Sequence, residues 1–264
     1  MGKVVAINIS NERGTEKRSV GQVEVIEGWG LEGDAHGGDW DRQVSILPVE
    51  SLENVPPEKK EEVLGGGYTE NFTIEGVDPA ELAVGNFVNL GQAVIKILYI
   101  GKEQYKNHGR PYIVSREGRF GRVFKGGLVK VGDGVSVYIF SRDSFLQCVQ
   151  EGSLTMVRIF LEEGMDPNTR DNYDATVLML AARGGHAPVV RFLLDKGAEV
   201  NARSDDGITA LMAAAYMGQA DIVEMLLAAG GDPGFRSDSG LTALSLAREA
   251  KQEAVARMLE NRGA

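Results

Sequence analysis

The chain has 264 residues, 43% of them hydrophobic and 25% charged, with a formal net charge of -10 at pH 7. That length accommodates two domains, each with its own core, and the acidic balance argues against broad nucleic-acid binding. The single cysteine, Cys148, excludes an internal disulfide and any multi-cysteine zinc site.

In chain order, the first half reads as short β-type runs: 4–9, 21–26, 44–47, 71–74, 87–90, 94–100, 112–114, 121–124 and 135–140. Turn chemistry punctuates them at Gly91-Gln92, Gly126-Gly127 and Asp133-Gly134. One helix is predicted over 57–64, started by Pro57 and stopped by Gly65-Gly66-Gly67. Residues 1–8 already have a strand pattern, without the apolar core and cleavage site of a signal peptide. No apolar run is long enough to span a membrane. With one cysteine only, the expected compartment is the reducing cytoplasm.

Charge is unevenly distributed. Residues 1–101 hold 8 basic and 17 acidic side chains, and residues 141–264 hold 12 and 18. Between them, residues 102–130 carry eight basic side chains (Lys102, Lys106, Arg110, Arg116, Arg119, Arg122, Lys125 and Lys130) against two acidic ones, a local net of +6.

The second half repeats every 33 residues. Thr176, Thr209 and Thr242 are in register, as are Leu178, Leu211 and Leu244, and Gly164, Gly197 and Gly230. Ala181-Ala182 matches Ala214-Ala215. This pattern resembles the ankyrin repeat, a turn followed by two short antiparallel helices. Small alanines let the first helix pack closely, a left-handed glycine ends the second, and no unit buries its apolar stripe alone, so units stack. Four units are expected: 141–170, 171–203, 204–236 and 237–264. The family's Thr-Pro-Leu-His tetrapeptide lacks its Pro and His here, which predicts a weaker local lock.

The first half resembles the MOSC domain, named for the C-terminal part of molybdenum cofactor sulfurase. The stretches that carry the resemblance are 30–38 (Gly-Leu-Glu-Gly-Asp-Ala-His-Gly-Gly), 42–47, 70–76, 82–85, 100–103, 116–123 and 126–133. The resemblance covers about residues 2–140 and implies a β-barrel with a role in molybdenum-cofactor (molybdopterin) or sulfur-transfer chemistry. The expected architecture is thus a mostly-β, MOSC-like barrel over 1–140 followed by an all-α ankyrin stack over 141–264. Family members carry a Cys directly after Gly-Lys-Glu as the presumed sulfur acceptor, whereas this chain has Gln104. A persulfide needs a thiol, so sulfur carriage through that position is excluded. Cys148 falls in register with Ala181 and Ala214, a small core position.

Candidate site residues follow from chemistry. Arg116, Arg119 and Arg122, with Lys102 and Arg110, have the charge to bind the phosphate of a pterin cofactor or another oxyanion; equally, they are solvated strand faces. Asp34, His36 and Asp39 form a second cluster in a Gly-rich loop, as ligand contacts or as loop-stabilising hydrogen-bond groups. Arg42 precedes a strand and is placed toward the same pocket; Glu70-Asn71 precedes another strand, to orient a polar ligand or, equally, to form a turn. His108 is a proton carrier or neither ligand nor catalyst. In the stack, partner choice is expected from the loop tips (Tyr173, Asp206) and the concave helix positions (Arg183, Tyr216, Met217).

The leading expectation is a cytoplasmic protein whose barrel binds an anionic ligand of the molybdenum-cofactor type and whose repeats bind a partner protein. A cofactor-dependent sulfur- or oxygen-transfer enzyme and a purely structural interaction protein are the alternatives. No flexible linker separates the halves, and Ser141-Arg142-Asp143-Ser144 can cap the first repeat helix directly. Limited proteolysis should therefore find no easy cut between residues 138 and 146. Rapid release of two stable fragments there would show a loose tether.

Overall fold

The computed structural model describes residues 2–12, 17–39, 42–54, 57, 70–101 and 118–262. The chain divides into two compact units, Met1–Phe140 and Ser141–Ala264. No helix among the described residues is long and apolar enough to cross a membrane.

The first unit holds strands β1 (Gly2–Ile9), β2 (Arg18–Val20), β3 (Gln22–Ile26), β4 (Gly30–Leu31), β5 (Val44–Pro48), β6 (Phe72–Glu75), β7 (Phe87–Leu90), β8 (Ala93–Ile100), β9 (Arg119–Lys125), β10 (Gly127–Lys130) and β11 (Gly134–Tyr138). Seven of them hydrogen-bond in the order β11-β7-β8-β9-β5-β6-β1, and β1 pairs again with β11, which closes a barrel. β2 extends β1, and β10-β3-β4 form a second, small sheet. Among the described residues, only the β5–β6 pairing in the barrel is parallel. A parallel pair needs a crossover connection, and here it begins with the 3-10 helix Val49–Asn54.

Closure leaves no unpaired barrel edge and turns alternate residues of each strand inward. Val4, Ile7, Ile46, Phe72, Ile74, Val88, Leu90, Ile95, Ile97 and Val123 share one core, each at most 2% exposed. Gly121 marks a close approach in this wall, because a side chain there would strike the Lys96 carbonyl oxygen and Ile95 Cγ2. The sequence patterns locate the seven barrel strands to within a few residues. They miss β2, β4 and β10, which are short or half-exposed and carry weak alternation. The expected strand at 112–114 and helix residues 58–64 lie outside the described residues.

The second unit consists, among the described residues, of four antiparallel helix pairs: α1 (Arg142–Gln150) and α2 (Leu154–Glu162), α3 (Val177–Gly184) and α4 (Ala187–Asp195), α5 (Ala210–Met217) and α6 (Ala220–Ala228), α7 (Ala243–Glu249) and α8 (Glu253–Glu260). Thr176, Thr209 and Thr242 are N-caps, each side chain accepting the amide of the third helical residue at 3.2–3.3 Å. Where Pro and His are missing, other groups complete the lock. Met179 Sδ accepts the Thr176 amide at 3.4 Å, and Ser245 Oγ accepts that of Thr242 at 2.7 Å. Gly164, Gly197 and Gly230 follow the second helices with φ of 100°, 86° and 90°, the left-handed stop that the register predicts.

Packing explains the small residues. Helix α3 packs on α5 and α5 on α7, and Ala181, Ala182, Ala214 and Ala215 are fully buried between them. Polar ladders with the same 33-residue period join neighbouring units. Arg170 Nη1 donates to the Arg203 carbonyl at 2.9 Å, and Arg203 Nη2 to the Arg236 carbonyl at 3.2 Å. Asn168 and Asn201 side chains accept the Glu199 and Asp232 amides at 2.8 and 2.9 Å. Leu211→Ala, in this interior at 1% exposure, should cost about 2–5 kcal/mol of stability. Asp206→Ala, at an exposed loop tip, should cost under about 0.5 kcal/mol. Chemical denaturation that found the two variants equally stable would show the repeat register to be wrong.

Candidate functional site

The Gly-rich loop that follows β3 is held by its own backbone. Asp34 N donates to the Leu31 carbonyl at 3.2 Å, Gly37 N to the Asp34 carbonyl at 3.1 Å and Gly38 N to the Trp29 carbonyl at 2.8 Å. Ala35 N donates to the Ser10 carbonyl at 2.7 Å, which ties the loop to the end of β1. Gln43, fully buried, clamps the other side. Its amide donates to the Gly28 and Gly38 carbonyls, and its Oε1 accepts the Val123 amide at 2.9 Å.

At the centre lies Asp34, whose side chain is 0% exposed. Its Oδ1 accepts the Ser10 amide at 3.2 Å, the Ser10 hydroxyl at 3.3 Å and meets His36 Nδ1 at 3.3 Å. Its Oδ2 accepts the Asn71 amide and faces Lys17 Nζ at 3.7 Å. Asn71 is equally occupied. Its Oδ1 accepts the Ser45 amide and hydroxyl at 3.1 and 3.0 Å, and its Nδ2 also reaches the Asn8 carbonyl at 3.3 Å. Burial acts to raise the Asp34 pKa, but Lys17, the Ser10 amide, Asn71 and His36 together outweigh it and hold the carboxyl below its ordinary value.

The predicted site residues therefore divide. Asp34, His36 and Asn71 meet in one network, with Asp34 and Asn71 buried at 8% and 2% exposure and engaged by protein groups. The His36 ring, 39% exposed, is the member of this network that reaches the surface. The Arg42 guanidinium lies 5.0 Å from the centre of the Tyr99 ring. Arg119 and Arg122 do not converge. Three residues apart on β9, they take opposite faces of the strand. Arg119 lies on the face of core residue Val123, is 5% exposed and donates to the Pro79 carbonyl at 3.0 Å. Arg122 is exposed, in register with Lys96, and approaches Asp39 at 3.5 Å. Lys102, Gln104, Arg110, His108 and Arg116 lie outside the described residues.

Sequence reasoning missed Ser10, Lys17, Gln43 and Ser45. Ser10 and Lys17 lie outside every stretch that carries the MOSC resemblance, and Gln43 and Ser45 lie inside the 42–47 stretch, where only Arg42 was given a role. Among the described residues, no group of three or more His, Cys, Asp or Glu is placed to hold a metal ion. For an oxyanion the described residues supply the half-exposed His36 ring and the exposed Arg122, whose guanidinium approaches Asp39 of the same Gly-rich loop at 3.5 Å. Cys148 is fully buried on α1. Burial, then the Glu151 charge, pushes its thiol up to about 12, far from the reactive thiolate that sulfur transfer requires.

In the second unit, Arg183 is the penultimate residue of α3 and Tyr216 takes the same position in α5, 33 residues later, with Met217 beside it. All three are exposed, Tyr216 and Met217 at 47% and 43%. Tyr173 and Asp206 share the loop-tip position of successive units, and Tyr173 is 78% exposed. A family model of ankyrin repeats in three copies matches residues 145–237 and again 204–264. The second unit is an ankyrin-repeat stack. The closed barrel of the first unit is compatible with the MOSC resemblance, although no MOSC family match accompanies it. No curated protein matches the chain.

The Asp34 network generates a pH prediction. A carboxyl held below its ordinary pKa of 3.8 contributes stability that is complete above that value and is lost as pH falls through the lower folded-state pKa. Asp34→Asn, which removes the buried carboxylate that faces Lys17 at 3.7 Å, should cost about 3–5 kcal/mol at pH 7. Thermal melts of both proteins should converge as the pH drops below about 4. A constant gap from pH 7 to pH 3 would refute the assignment.

Proposed function

We propose that the protein is a cytoplasmic two-part binding protein, in which the ankyrin stack docks a partner protein and the barrel holds a small anionic ligand. Ankyrin repeats support protein interaction, and the observation that carries this part is the exposed set of Arg183, Tyr216, Met217 and Tyr173. Such aromatic and arginine side chains are enriched at protein interfaces.

For the barrel, support comes from the half-exposed His36, oriented by a buried carboxylate, and from Arg122 on the exposed face of β9. Such groups suit charge-assisted hydrogen bonds to an oxyanion. The MOSC resemblance makes a molybdenum-cofactor-type ligand the first to try. Arg119 enters this reading only as a structural group, since its guanidinium is inside the wall. The buried Cys148 favours binding over sulfur transfer.

Calorimetric titration of molybdate and of inorganic phosphate into the full chain tests the barrel reading. His36→Ala and Arg122→Ala should each weaken binding by roughly ten-fold or more, the worth of a charge-assisted hydrogen bond. Cys148→Ala should bind as wild type. Unchanged affinity in both the His36 and Arg122 variants would leave the barrel as a structural module.

A further inference from the structure

The second helices of the first three repeats carry a surface that the partner-docking reading does not use. Helices α2, α4 and α6 border an open surface cavity of about 380 Å³, with Leu154, Phe192 and Met225 in its apolar lining and Arg158, Arg191 and Asp195 as its charged groups. Arg158 and Arg191 are the same repeat position, 33 residues apart, and both are exposed. The next residue in the row is Glu224, so the positive pair ends at the third repeat.

Arg142, Arg170, Arg203, Arg248 and Arg257 each have a carboxylate within 3.5 Å. Among the described residues, Arg158 and Arg191 have none, as is also true of Arg183, Arg236 and Arg262, but only Arg158 and Arg191 line this cavity. Arg158 is not loose. Its guanidinium sits 4.9 Å from the centre of the half-buried Phe192 ring, with Lys196 Nζ at 5.4 Å from the same centre. This cation–π contact holds the guanidinium over the ring, and its N–H groups remain able to bind a carboxylate in bidentate fashion.

We infer that this outer face is a second docking site, for an extended acidic peptide segment with apolar residues between its carboxylates. Neighbouring packed helices stand about 8–10 Å apart, which sets the spacing of the two arginine positions. A chain in the extended polyproline II conformation rises about 3.1 Å per residue with three residues per turn, so carboxylates at i and i+3 share one face and match that spacing. The residues between them project to either side of that face, toward the apolar lining of Leu154, Phe192 and Met225. Unpaired cations beside an apolar cavity are complementary to this pattern in both charge and hydrophobicity. Because α2, α4 and α6 are not the helices that carry Arg183 and Tyr216, the inference stands whether or not the inner-face reading does.

The test uses the full chain and a labelled peptide, acetyl-Gly-Glu-Leu-Leu-Glu-Gly-amide, followed by fluorescence anisotropy and by the methyl NMR signals of Leu154 and Met225. Binding to wild type should shift both signals and weaken as salt is raised. Arg158→Glu and Arg191→Glu should each lower affinity at least ten-fold with unchanged melting temperature, and Tyr216→Ala should leave it unchanged. The same peptide with Lys in place of Glu should not bind. The inference fails if the Glu peptide does not bind wild type, if the arginine variants bind it equally, or if the Lys peptide binds as well. It also fails if phosphatidylserine vesicles, rather than the peptide, bind in an arginine-dependent way, which would make the face a membrane contact.

Discussion

A carboxylate removed from water is tolerated only when its charge is met by donors and cations at close range. Asp34 is that group in the barrel unit, and the surrounding chain is arranged around it. Its partners arrive from the end of β1, from Lys17 before β2, from its own loop and from the start of β6. Holding these four segments to one point orders the Gly-rich loop and sets where His36 emerges. Asn71 passes the constraint on to β5 through Ser45, so the parallel β5–β6 pair and the loop are tied to the same node.

The ankyrin stack follows a different logic. No single charge organises it; its order comes from repetition. Each helix pair buries one side against the next, and the threonine caps, alanine pairs and glycine stops recur because the packing problem recurs. Departures from the repeat are then informative. Cys148 replaces an alanine and remains a core residue. Phe192 and Met225 follow the buried Ile159 in their row and are only partly covered. Arg158 and Arg191 precede them without acidic partners, whereas most arginines at the loop tips are paired.

The two halves also treat charge differently. In the barrel, a buried acid controls geometry and a buried Arg119 braces the wall on the Pro79 carbonyl. In the stack, arginines bridge successive units at the surface, where Arg170 and Arg203 add backbone-directed hydrogen bonds across the repeat boundary. Isolated surface pairs contribute little to stability; a ladder repeated at each boundary chiefly fixes the spacing of the loop tips, and with it the position of Tyr173 and Asp206.

Much was legible in the residues alone. A 33-residue period fixes helix identity, cap position and core position together, because all follow from one repeated packing unit; the roles of Thr176, Leu211, Gly197 and Cys148 could be read directly. Strand alternation located most of the barrel for the same local reason. The candidate site was less legible. The run of arginines looked like a cluster, but neighbours three apart on a strand face opposite ways, so Arg119 went into the wall and Arg122 to the surface. Asp34 and His36 were visible as a motif, but their partners Ser10, Lys17 and Asn71 lie up to 37 residues from Asp34 in the chain. Local pattern determined which elements form, since a helix or strand needs only its neighbours in sequence. Which side chains meet at Asp34 was decided by barrel closure, which brings distant strand ends to one place.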